Sequence, residues 1–91
     1  MYEWDDNKNR ENFEKHGLNF EDAELLFSGP CVTFADDRFD YGEDRFITLG
    51  VLQGRVVLVV HTRREEKIRI ISMRKANRRE REIYQKRLEE T

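Results

Sequence analysis

The chain has 91 residues, of which 40% are charged and 37% hydrophobic, with a formal net charge of -2. That length holds one domain and one core, and its apolar residues fall in patterned runs, which excludes a disordered chain. No apolar run is long enough to span a membrane, the N-terminal stretch is acidic where a signal peptide is basic, and the single Cys31 cannot close an internal disulfide. A cytoplasmic protein with no membrane partner is expected.

Residues 5–17, DDNKNRENFEKHG, predict a first helix. Asp5 and Asp6 suit the positive end of its dipole, Lys15 and His16 the negative end, and Gly17 the left-handed turn that follows. The same account makes Lys15-His16-Gly17 a helix end rather than a catalytic triplet, and Trp4 is expected to anchor the core. Residues 19–27, NFEDAELLF, predict a short second helix capped by Asn19, with Phe20, Ala23, Leu26 and Phe27 on one face. CVTFAD, 31–36, predicts a strand in which Cys31 is a half-buried packing residue. The acidic loop after it lacks EF-hand spacing, and no His or Cys cluster suits zinc, so no metal or cofactor is expected.

RFITLGVL (45–52), RVVLVVHT (55–62) and KIRIISM (67–73) predict three further strands. A tight turn at Gln53–Gly54 and a turn over 63–66 would join them as an antiparallel meander. NRREREIYQKRLEE (77–90) predicts a last helix, with Asn77 and Glu80 at capping-box spacing and Ile83, Tyr84 and Leu88 as a narrow apolar stripe.

Those turns imply a register. The first places Leu52 opposite Arg55, Thr48 opposite Val59 and Phe46 opposite His61; the second places Thr62 opposite Lys67, His61 opposite Ile68 and Val57 opposite Ser72. One face then holds Ile47, Leu49, Val51, Val56, Leu58, Val60, Ile71 and Met73, a core face for the first two helices. The other holds Thr48, Gly50, Arg55, His61, Ser72 and Arg74, a shallow open floor for an anionic polymer. Charge agrees with an anionic partner: residues 1–54 carry 13 acids and 5 bases, and residues 55–91 carry 12 bases and 6 acids.

Trp4-Asp5, Lys8, Asn12, Lys15-His16-Gly17, Phe20, Ala23 and Phe27 form one block of a pattern. Arg45, Gly50, VVHT at 59–62, Arg64, IRIIS at 68–72, Arg74, Ala76, RER at 79–81 and Tyr84 form another. Together they resemble the BrnT family of toxins. The resemblance implies an α+β RelE-like fold over residues 1–91: two N-terminal helices on a four-stranded antiparallel sheet, followed by a basic C-terminal helix. It also implies a ribonuclease toxin that blocks translation. The partner would be a BrnA-like DNA-binding antitoxin, through which alone the chain would meet operator DNA. Met73 and Asn77 depart from the family's usual small residue and Ser or Thr; Asn caps a helix as well as Ser.

RNA cleavage without a metal uses the ribose 2′-hydroxyl as nucleophile, so the protein must orient the phosphate and stabilise the charge growing on it, a task that suits Arg. On the implied activity, Arg74 and Arg78 are expected to hold a phosphate at the N-terminus of the last helix, with Arg64 as a third phosphate contact. His61 is expected either to exchange protons or to be a structural strand-end histidine. Arg55, Arg69, Lys75 and Arg81 are the expected diffuse RNA contacts. The alternative is a non-catalytic nucleic-acid-binding or protein-interaction module that uses the same cations.

Overall fold

The computed structural model describes residues 1–38 and 40–90. Its elements are β1 (Tyr2–Glu3), α1 (Asp6–His16), a 3-10 turn (Phe20–Asp22), α2 (Ala23–Ser28), β2 (Cys31–Ala35), β3 (Arg45–Leu52), β4 (Arg55–Arg64), β5 (Lys67–Lys75) and α3 (Arg78–Glu89). The sheet order is β1-β5-β4-β3-β2. The fold is α+β as expected, but among the described residues the sheet has five strands and is mixed, because β1 pairs in parallel with β5. Two residues carry no periodicity for a sequence pattern to detect.

Local chemistry explains the helix ends. The Asp5 carboxylate accepts from the amides of Asn7 and Lys8, and Gly17 closes α1 at φ 68°. Asn19 accepts from the Glu21 amide at the start of the 3-10 turn that leads into α2. At α3 the capping box is complete: Asn77 Oδ1 accepts from the Glu80 amide and Glu80 Oε1 from the Asn77 amide.

Both faces of the sheet are covered. Phe20, Ala23 and Leu26 pack on Leu52, Val57, Val59, Ile70 and Met73, joined by Trp4, Phe27 and Cys31. On the opposite face Ala76, Tyr84 and Leu88 pack on Leu49, Leu58, Val60, Ile47, Val56 and Ile71. Ile47, Leu49, Val56, Leu58, Val60 and Ile71 therefore lie under α3, not under the first two helices. The floor expected to be open is closed: Thr48 and Gly50 are buried, and Leu26 sits over Gly50.

The register explains the difference. Pairing of β3 with β4 is as the Gln53–Gly54 turn implies, with positive φ at both residues. Between β4 and β5 the turn is only Glu65–Glu66, so Arg64 pairs with Lys67 and Thr62 with Arg69. A two-residue slip preserves faces, but a bulge follows: His61 pairs with Ile70 and Val60 with Ser72, leaving Ile71 unpaired. The one-residue insertion reverses alternation beyond it. Met73 turns into the core beneath α1 and α2, and Ser72 and Arg74 turn to the α3 face. The free edge at the bulge is closed by Asn12, buried in α1. Its Oδ1 accepts from the Met73 amide at 3.1 Å and its Nδ2 donates to the Leu18 carbonyl.

Candidate nucleic-acid interface

Alternation along β3, β4 and β5 puts Arg45, Arg64, Lys67, Arg69 and Arg74 on one face, the face α3 partly covers. Arg69 and Arg74 are five positions apart, an odd number that would separate them in a regular strand. The bulge at Ile71 brings them to the same side. Rows of this face run from Leu58–Arg74 beside the start of α3 to Arg45–Thr62–Arg69 and Arg64–Lys67 at the far end.

At the α3 end, Arg74 donates through both terminal nitrogens to the Glu80 carboxylate, each at 2.8 Å. The pair is partly shielded, with 35% of the Arg74 side chain and 19% of Glu80 exposed. Hydrogen bonding to Arg74 lowers the Glu80 pKa, and the same bond raises that of Arg74. Arg38 lies close enough for its field to act on both, and is itself held by Asp36 at 2.7 and 2.9 Å. The N-terminus of α3 is thus already filled by a carboxylate. Arg78 stands apart from this cluster, its side chain 86% exposed, and among the described residues it is bonded only to Glu82.

At the other end Arg64 and Arg45 share Glu43, at 3.5 and 3.4 Å, and Arg69 meets Glu3 at 3.2 Å. These bonds are longer than those of the Arg74–Glu80 fork, and their carboxylates are more exposed than Glu80.

His61 is on the opposite face. It is buried, bonded through Nε2 to Thr48 Oγ1 at 2.7 Å, stacked on Phe46 and met edge-on by Phe27. Thr48 in turn bonds Thr33, also at 2.7 Å. Burial pushes the His61 pKa down to about 4, so the ring is neutral near pH 7. The structure does not bring His61 to the Arg74 cluster, and the chain of hydroxyls gives it a structural place.

Arg55 pairs with Leu52 and Lys75 with Val57, so both belong to the α1/α2 face, at its far margin. Arg81 turns back to donate to the Ala76 carbonyl at 3.0 Å. Of the expected diffuse contacts, only Arg69 lies on the cationic face. Tyr84 is buried and donates to the Pro30 carbonyl at 2.8 Å, a packing role. Sequence reasoning missed Arg45 and Lys67, whose positions follow from strand parity once the α3 face is recognised as cationic at its rim.

A search among curated proteins finds no match to the chain. A family model described as "Ribonuclease toxin, BrnT, of type II toxin-antitoxin system" matches residues 4–80. The matched span includes β2 to β5, the bulge, the cationic face and the first turn of α3, and leaves out β1. With a continuous match over most of its length, the chain belongs to the BrnT family of ribonuclease toxins of type II toxin–antitoxin systems.

Proposed function

We propose that the chain is a single-domain endoribonuclease toxin that cuts RNA by metal-free attack of the ribose 2′-hydroxyl and so inhibits translation in the cytoplasm. A BrnA-like, DNA-binding antitoxin would neutralise it and carry it to operator DNA. The observation that carries the reading is the one-sided set Arg45, Arg64, Lys67, Arg69 and Arg74, to which the bulge adds Arg74. Such a face tracks a phosphate backbone.

In the reaction the 2′-oxygen bonds phosphorus, the bond to the 5′-oxygen breaks, and the products are a 2′,3′-cyclic phosphate and a 5′-hydroxyl. Water takes the 2′ proton and supplies one to the 5′-oxygen. Arg74 contributes a bidentate fork to the scissile phosphate after exchanging Glu80 for it, with Arg78 and Arg64 as further phosphate contacts. His61 is assigned no proton transfer, because it is neutral, bonded and on the other side of the sheet.

Expression of the chain alone, with mapping of new RNA 5′ ends, tests the activity. The purified chain should cut RNA in the presence of EDTA, leave cyclic phosphate ends and spare a 2′-deoxy strand. Cleavage that stops with EDTA, or that cuts the 2′-deoxy strand equally, would refute the mechanism; intact RNA throughout would refute the enzyme.

A further inference from the structure

At the end of the cationic face away from α3 lies a cleft of about 130 Å³, bordered by Lys8 and Asp5 from the start of α1, Arg45 and Glu43 from the β3 end, and Thr62, Arg64 and Arg69 from β4 and β5. Its volume is roughly four times the ~30 Å³ of one water molecule, room for one phosphate group. Four cations line it against two carboxylates. The Asp5 carboxylate is already committed to capping α1, where it accepts from the Asn7 and Lys8 amides at 2.8 and 3.2 Å. Glu43 is divided between Arg45 and Arg64 at 3.4 and 3.5 Å, and Arg69 leans outward to Glu3. Among the described residues Lys8 has no ion-pair partner.

The contrast with the α3 end is one of bond quality. There a tight fork of two 2.8 Å bonds and a capping box close the space with Glu80. Here long bonds to shared carboxylates leave the guanidinium groups able to turn toward a stronger acceptor, and excess positive charge favours an anion.

We infer that this cleft is a phosphate-binding subsite that holds one phosphodiester of an RNA strand, with Lys8, Arg45, Arg64 and Arg69 as its donors. The inference rests on the RNA-cleaving reading and extends it to two residues outside the expected site, Lys8 and Arg45. Rows Thr62 and Leu58 are four residues apart, about 13 Å along the strand, so the cleft and Arg74 would take different phosphates of one strand.

The test has two arms on the full-length chain. In the first, inorganic phosphate is titrated while backbone amide shifts are followed by NMR. The amides of Lys8, Thr62 and Arg69 should move in the parent and stay in a Lys8→Gln/Arg45→Gln variant that keeps the parent's amide spectrum elsewhere. In the second, a 2′-O-methyl RNA oligonucleotide, which cannot be cut, is bound at several salt concentrations. Lys8→Gln and Arg45→Gln should each weaken binding about tenfold and lower the logarithmic salt slope by about 0.7, the value for one single-strand phosphate contact. Lys15→Gln, at the other end of α1, should change neither. Unchanged affinity and slope in the first two variants overturn the proposal, as do phosphate shifts unaffected by them. Phosphate binding without RNA affinity also overturns it, since the ligand is then not an RNA strand. A parent that binds the oligonucleotide through Lys8 and Arg45 yet cuts no RNA supports the cleft and refutes only the nuclease reading.

Discussion

His61 shows how one buried side chain sets a pH dependence. Its pKa is lowered from 6.5 to about 4 by burial, so the unfolded chain takes up the proton first. The stability it contributes is complete above about pH 6.5 and is lost as pH falls toward 4, with an upper magnitude of about 3 kcal/mol. Asp36, held at about 2 chiefly by Arg38, acts in a lower window, losing its contribution as pH falls from about 4 to 2. Urea unfolding of His61→Gln between pH 4 and 6.5 should show a flatter slope than the parent; the same slope in both would place the titration elsewhere. Asn12 carries the other high-stakes bond. Asn12→Ala strips the Met73 amide of its acceptor and should cost about 1–3 kcal/mol in the same assay.

The bulge, α2 and the α3 cap decide what the elements present. Gly50 has no room for a side chain: a Cβ there would lie 2.7 Å from Leu26 Cδ2, 2.8 Å from Leu26 Cγ and 3.3 Å from Cys31 Cβ. Leu26 is fully buried and cannot step aside, so Gly50→Ala should lower stability by about 1–3 kcal/mol, read as a lower urea midpoint at unchanged slope. At α3, Asn77→Ala removes a cap and should cost about 1 kcal/mol. The Glu80 carboxylate keeps its own half of the box, because its donor is the Asn77 backbone amide, which alanine retains. An unchanged melting temperature would mean that the capping box contributes nothing net.

Across the whole molecule the charge is divided between halves of the sequence and, more usefully, between faces of the sheet. Lys67→Glu should weaken RNA association and lower its salt dependence, because Lys67 shares a face with Arg64, Arg69 and Arg74. Lys75→Glu, which changes charge identically on the opposite face, should do much less. Equal losses from both would show that RNA responds to total charge, not to this face. Growth inhibition by Arg74→Ala should disappear while the variant stays folded, since replacing a half-exposed Arg leaves Glu80 its capping bond to Asn77.

Composition and alternation by themselves determined the class of the protein: helix caps, the Gln53–Gly54 turn, three long strands and a basic end are local chemistry, written in neighbouring residues. The pattern of residues in two blocks also carried the family. What local chemistry cannot carry is a sum over the sheet. The bulge at Ile71 is stabilised by Met73 entering the core and by Asn12, 61 positions away, accepting from the buried Met73 amide. Only that long-range closure decides that Arg69 and Arg74 share a face and that His61 does not. The two apolar layers posed the same difficulty. Strand alternation divides residues into two sets but does not say which helix covers which, because α2 and α3 each offer an apolar stripe. Packing settled it, by fitting Leu26 over the one strand position that has no side chain.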